Sequence, residues 1–339
     1  MPFIKRLVYI TGHILFVITL IFFSTLQAKN LEKYNKAENI ADYFSGVVLL
    51  NQSQYDESYK YFKRLDGLEK NHTAFSSKYL YSLINSGKFN EAFNFSKKIE
   101  KEKKDSYESD LIIGIYYLKN SQSDISKKYF LKAKQRNSRT FIDNYVANTL
   151  YIWSDLKNSD LEQATFLLDK LDPRFKNLKK IQNVFLNCFF NSEKTETLFD
   201  ELVLDQKTDF SRYSYFYAKY LESSGKKEKA KKIIKISLDK YPRNLLLNQF
   251  KIDLENSKKN LKFDCNKESD VIAELLYIAS NALSSQSIYP LSNFYLNFSK
   301  YLNKDFHAYD TLLAENFYKI EDFSNAKKIY KKLLNKGNS

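Results

Sequence analysis

Residues 85–96 read Asn85-Ser86-Gly87-Lys88-Phe89-Asn90-Glu91-Ala92-Phe93-Asn94-Phe95-Ser96. Gly87 takes a positive φ without steric cost, so it suits the end of one helix and the turn into the next. After the turn, Phe89, Ala92, Phe93, Ser96 and Ile99 recur three and four residues apart, the spacing of a helix with one buried face. Before it, Leu80, Leu83 and Ile84 form a second apolar set. The stretch therefore predicts a helical hairpin, with helix A before Gly87 and helix B after it.

Stepping 34 residues either way returns the same hairpin. Ser58, Ala92 and Ser126 are 34 apart, as are Gly46, Leu80 and Gly114, and Phe62, Ser96 and Phe130. The same interval separates Ser292 from Ala326. A period of this length marks stacked hairpins, each leaning on its neighbours. Gly46 and Ser58 are small where two helices must approach closely, and Tyr55 and Phe62 fill the space between hairpins. The step from Ser126 to Ala164 stretches to 38, and around Thr195 only Leu186, Phe199 and Leu202 hold the pattern. It returns at Gly225, Ala230 and Ile234, and Pro242 stops that unit. Lys240 to Leu261, with Leu245, Leu246, Leu247, Phe250, Ile252 and Leu254, reads as one helix without an obvious hairpin partner. The expected organisation is a targeting segment over 1–28, repeats over 29–255 that degenerate around 175–205, a linker over 256–270, and further repeats over 271–339.

Composition agrees with helices joined by short turns, since the 339 residues include only 7 Gly and 4 Pro. The net charge of +14 reflects 54 Lys and Arg against 40 Asp and Glu. Lysines spread over helix faces account for it, and the densest run, 97–104, is broken by Glu100 and Glu102. Aromatic residues fall at core spacing rather than among arginines, so nucleic acid is not an expected partner. Cys188 and Cys265 lie 77 residues apart in different units, and distant units of a solenoid predict two separate buried thiols. His13, His72 and His307 form no metal-binding spacing, and no glycine-rich phosphate loop or nucleophile elbow occurs. The pairs Asp56-Glu57 and Glu321-Asp322 sit at helix starts, where they offset the dipole. The sequence thus predicts no catalytic, metal-binding or cofactor-binding residues.

Lys5 and Arg6 precede an apolar run that is nearly continuous from Ile14 to Phe23, followed by Ser24-Thr25-Leu26-Gln27-Ala28. This is the layout of a secretory signal peptide cut after Ala28. Leu7 to Leu26 also reaches the length of an uncleaved membrane anchor. A buried first helix is the third reading. The first two place the repeats in the periplasm or cell envelope, the second with inner-membrane association through residues 7–26.

The pattern resembles the tetratricopeptide repeat. Tyr217, Ala218 and Leu221 on helix A, then Gly225, Ala230, Ile234 and Pro242, follow that repeat's signature most closely. With Tyr43-Phe44-Ser45-Gly46 in the first helix and Ile272-Ala273-Glu274-Leu275-Leu276-Tyr277-Ile278-Ala279 after the linker, the chain also resembles signal-peptide-bearing tetratricopeptide repeat proteins of alphaproteobacteria. The resemblance implies an all-α fold, a right-handed α-solenoid of TPR-like helical hairpins. It also implies a non-catalytic protein-protein interaction or scaffolding module that binds a protein or peptide on the concave face. A structural subunit of an envelope assembly and a cell-envelope enzyme on a helical scaffold are the alternatives. Helix A positions carried over by register are Tyr43, Val47, Asn51, Tyr81, Asn85, Ile115, Lys119, Tyr215, Lys219, Glu222 and Ser223. All are expected to be exposed, and Asn85 and Lys119 take matching places in adjacent units, where they would grip a peptide backbone or carboxylate. The last hairpin ends without a clear polar cap, which leaves an apolar face for a partner.

Overall fold

The computed structural model describes residues 37–136, 140–205, 208–256 and 263–334. The expected targeting segment and part of the expected linker lie outside them. Among the described residues the chain is helical throughout. The helices are α1 (Ala37–Asn51), α2 (Tyr55–Arg64), α3 (Thr73–Asn85), α4 (Phe89–Lys101), α5 (Tyr107–Lys119), α6 (Ser123–Gln135), α7 (Phe141–Ser154), α8 (Leu161–Asp169), α9 (Lys176–Phe189) and α10 (Thr195–Val203). They continue with α11 (Ser211–Ser223), α12 (Lys227–Lys240), α13 (Leu245–Glu255), α14 (Glu268–Ser285), α15 (Tyr289–Leu302), α16 (Ala308–Lys319) and α17 (Phe323–Leu334). Short 3-10 turns stand at Leu68–Lys70 and Pro173–Phe175. The fold is an all-α array of TPR-like hairpins. It divides into two compact units between Ser82 and Leu83.

The 34-residue period has a physical cause in each unit. In the first, Ser58 Oγ donates to the Gly46 carbonyl at 2.8 Å. In the second, Ser126 does the same to Gly114 and Ser292 to Ser280, both at 2.8 Å. A hydroxyl on helix B reaches the backbone of helix A only if the axes are close, and a small residue on helix A permits that approach. A Cβ on Gly46 would lie 2.6 Å from the Phe62 ring, and one on Gly114 would lie 2.5 Å from Phe130. The small position and the aromatic are thus one feature: the ring on helix B occupies the space that a side chain on helix A would need.

The hairpin turns repeat as well. Positive φ falls at Ser53, Gly87, Ser121, Asn191, Gly225, Ser287 and Glu321. Each is followed by a residue whose N–H reaches the carbonyl five positions back, as Gln122 does to Tyr117 at 2.9 Å and Lys226 to Leu221 at 2.8 Å. This is the left-handed helix stop that satisfies the last carbonyls. Glycine supplies it at only two of these turns. Elsewhere side chains mark the helix start. Ser106 caps α5 in a reciprocal bond with Ser109, and Asp160 caps α8 with Gln163.

One expectation needs correction. Cys188 and Cys265 are not separate thiols. They form a disulfide with α-carbons 6.0 Å apart. The assumption that distant units stay apart fails because the segment before α14 returns to the end of α9. There Phe263 is buried against Phe185 and Phe216, with ring centroids 5.4 and 4.4 Å away. In the turn before α3, His72 accepts the Phe75 N–H at 3.1 Å through Nδ1, and its ring packs 4.9 Å from Tyr43.

Candidate interaction site

The helix A positions picked from register divide sharply. In the first unit Asn51 is exposed, while Tyr43, Val47 and Tyr81 are half-buried. Tyr43 packs on Phe62 at 6.3 Å as well as on His72. In the second unit two expectations of exposure are wrong. Ile115 and Tyr215 are each 1% exposed. Tyr215 lies beneath Phe250 and Phe306, 5.1 and 5.7 Å away, because the loop after α15 closes over α11. Burial raises its phenol pKa. Lys219 and Glu222 are half-buried and bonded to each other at 2.9 Å, and Ser223 is exposed. Lys219 and Ser223 border a cavity of about 560 Å³ with Tyr220, Lys267 and the disulfide.

Asn85 and Lys119 do lie on one face, but their partners come from the chain itself. Asn297 donates to Asn85 Oδ1 at 3.0 Å, and Lys119 Nζ donates to the Leu302 carbonyl at 2.9 Å. Burial lowers the Lys119 pKa, helped by Lys267 and Lys304 nearby. Helix α15 therefore occupies the face on which a bound peptide was expected.

A separate groove of about 520 Å³ opens in the second unit. The helix A elements α11, α14 and α16 contribute Arg212, Tyr277, Ala308 and Thr311, and Leu245, Leu246, Tyr330, Leu333 and Leu334 complete apolar walls. Leu245 and Leu334 are 60% and 80% exposed, so the mouth is apolar. The floor is ionic. Arg212 Nε and Nη2 donate to the two oxygens of Glu274 at 2.7 and 2.8 Å. The guanidinium also lies 3.8 Å from the centre of the Tyr277 ring. Glu274 is fully buried, and burial raises its carboxyl pKa against the pull of Arg212. The two-pronged pair answers the desolvation of both charges and leaves the groove floor rigid.

Arg212 was not visible as a site residue in sequence, but Glu274 carried a signal. It is the lone acid within the apolar run Val271–Ala279, and a buried carboxylate must find a partner. What the sequence lacked was the position of that partner, 62 residues away.

Among the described residues, no cluster of three or more His, Cys, Asp or Glu has a geometry that could hold a metal ion, and no helix is long and apolar enough to cross a membrane.

These hairpins define a TPR-like helical-repeat protein. No family model and no curated protein matches the sequence. Solved structures with some likeness include Naa15/Naa10 bound to HypK-THB, at 13% identity and a TM-score of 0.24, covering 88% of this chain and 63% of that one. The yeast Tom70 is 14% identical with a TM-score of 0.27, covering 86% and 68%. A human IFIT1 dimer with PPP-AAAA is 16% identical with a TM-score of 0.25, covering 91% and 70%. The chain spans less than two thirds of the first of these.

Proposed function

We propose that the protein is a non-catalytic binding scaffold of the cell envelope that holds an apolar peptide or helix of a partner protein in the groove over Arg212 and Tyr277. The observation that carries this reading is the groove: three helix A elements converge on it, its walls are mostly apolar, and its floor presents the Arg212 guanidinium paired with Glu274. Its size suits a few apolar side chains, since ligand sites run from about 300 to 1,000 Å³. The disulfide supports the compartment, because such bonds persist where the surroundings are oxidising. The basic and apolar N-terminal residues then serve as the export signal or as an inner-membrane anchor.

A photo-reactive amino acid at Thr311, inside the groove, tests the reading against the same residue at exposed Glu162. Crosslinking in cells is expected to give one defined adduct at Thr311, identified by mass spectrometry, that Leu245→Asp abolishes. Equal crosslinking at both positions, or none at Thr311, refutes the groove. N-terminal sequencing of the purified protein separates a cleaved signal from a retained anchor.

A further inference from the structure

Four helices that stand second in a hairpin carry a cation answered by an acid on a neighbouring helix. Arg64 on α2 pairs with Asp42 on α1 at 3.3 Å. Lys127 on α6 pairs with Asp155, just after α7, at 2.5 Å. Lys229 on α12 reaches Glu196 and Asp200 on α10 at 2.7 and 3.0 Å. Lys300 on α15 reaches Asp310 on α16 at 2.6 Å. Helix α17 departs from this pattern. Its Lys327, Lys328, Lys331 and Lys332 are all exposed, and none has an acidic partner among the described residues.

The apolar side chains of α17 are open as well. Elsewhere the next helix covers them, as Phe75 of α3 covers Phe62 at 5.8 Å and Tyr116 of α5 covers Phe93 at 3.9 Å. On α17, Tyr330, Leu333 and Leu334 instead form a wall of the groove over Arg212. Lys327 stands one turn before Tyr330, and Lys331 one turn before Leu334, so both flank that wall. Exposed Arg243 precedes Asn244 and Leu245 in the α13 wall, again with no acidic partner among the described residues. Among the described residues no Asp or Glu lines the groove. Glu274 is paired with Arg212 in the floor, and Asp310 with Lys300. Glu315 is an acid near the rim: burial first, then Glu315 and Tyr318, raises the Tyr330 phenol pKa. Arg243, Lys327 and Lys331 leave the rim positive all the same.

We infer that the occupant of this groove is an acidic amphipathic helix of a partner protein. It sets apolar side chains between Leu245 and Leu334 and carboxylates against Lys327, Lys331 and Arg243. The inference rests on the groove reading above and adds the form and charge of what the groove holds. A helix fits because the earlier second helices receive one: α7 lies beside α6 and α16 beside α15, and each brings an aspartate to a lysine. Lys327 and Lys331 are four residues apart on one helix, so acids four apart on a neighbouring helix answer both. A second copy of this chain meeting the first through α17 does not fit, because it would bring the same lysines, and like charges face to face repel. Attraction between the exposed lysines and an acidic helix weakens as salt screens it.

The test uses the full-length protein and two fluorescein-labelled synthetic helices of about 18 residues with the same leucine stripe, one flanked by glutamates and the other by lysines. Fluorescence anisotropy at low salt is expected to show the acidic helix binding at least about tenfold tighter than the basic one, and the difference is expected to shrink in about 0.5 M salt. Lys327→Glu with Lys331→Glu is expected to remove or reverse the preference, and Leu245→Asp to weaken binding of both helices. These substitutions fall on exposed residues, and circular dichroism checks that the variants keep their helices. Equal binding of the two helices that Leu245→Asp weakens overturns this inference and leaves the groove reading standing. A preference for the acidic helix that survives the lysine reversal overturns it too. So does no binding of either helix, and the groove reading is then decided by the adduct at Thr311. Flotation with phosphatidylglycerol vesicles is expected to be the same for wild type and the lysine variant. Loss of flotation in the variant assigns these lysines to a lipid surface and overturns the inference.

Discussion

Gly114→Ala is the sharpest test of why this chain repeats every 34 residues. In an exposed helix, replacing glycine by alanine stabilises by roughly 1 kcal/mol, because glycine loses the most backbone freedom on folding. Here the new Cβ would lie 2.5 and 2.7 Å from two atoms of the Phe130 ring, about an ångström closer than ordinary contact. Phe130 is fully buried, so the ring cannot swing into solvent. Either α5 and α6 separate or the ring leaves its preferred rotamer, and overpacking of this kind costs about 1–3 kcal/mol. Separation also breaks the bond from Ser126 Oγ to the Gly114 carbonyl, worth about 1 kcal/mol. The costs exceed the propensity gain, and the expected net loss is about 1–3 kcal/mol. Urea unfolding followed by circular dichroism measures it. Adding Phe130→Leu, which removes the obstructing ring edge, should recover part of the loss in the Gly114→Ala background, although it is destabilising alone. A Gly114→Ala variant more stable than wild type would show that the two helices do not meet at this position, and the account of the repeat would fall.

Three further outcomes follow from the same geometry. Ser121 holds φ at 60° in the turn between α5 and α6, so Ser121→Gly should stabilise by up to about 1 kcal/mol in thermal melts, whereas Gly225→Ala, at φ 77° with no atom within 4 Å, should destabilise by a similar amount. Arg212→Met strands buried Glu274 and should cost about 3–5 kcal/mol, with most of the loss recovered by Arg212→Met combined with Glu274→Leu, and an additive double variant would refute the pairing. Burial pushes the Asp110 carboxyl up to about 6, despite Arg136 at 2.9 Å, so the folded state binds this proton more tightly than the unfolded chain. Its contribution to stability is therefore fully present below the unfolded value near 4 and falls as pH rises through about 6, and Asp110→Asn should flatten that part of the stability profile measured by urea titration.

The parts of the fold that were legible in sequence are those set by contacts within one hairpin. Gly46 with Ser58, Gly114 with Ser126, and the aromatic residues beside them are imposed by two helices 12 residues apart in register, so they recur wherever a hairpin does. Glycine announced the turns at Gly87 and Gly225. Serine and glutamate adopt the same positive φ at Ser53, Ser121, Ser287 and Glu321 without announcing it by residue type, and asparagine, which tolerates the left-handed region, does so at Asn191. Of the helices that line the groove at Arg212, the register placed candidate residues only on α11. It could not tell solvent from a returning segment, which is why Tyr215 proved buried and Lys119 proved bonded.

The errors share a cause. A repeat array read from its period is assumed to touch only its nearest neighbours, and three side-chain pairs in the second unit break that assumption. Cys188 meets Cys265 across 77 residues, Tyr295 meets Asp143 across 152, and Asn297 meets Asn85 across 212. Each pair joins a residue before the expected linker to one within or beyond it. The period carries no information about such pairs, because the local hairpin is equally satisfied with or without them. What marks them in the sequence is chemical incongruity: a buried acid at Asp143, Glu274 alone in an apolar helix, and two cysteines without neighbours. Buried groups of this kind are costly unless paired. Where the period supplies no partner within one hairpin, the partner must come from a distant one. The same reasoning separates the two faces of the protein. A face covered by the chain's own helix, as α15 covers Asn85 and Lys119, is closed to a partner, whereas the apolar groove over Arg212 is open in the structure as it stands.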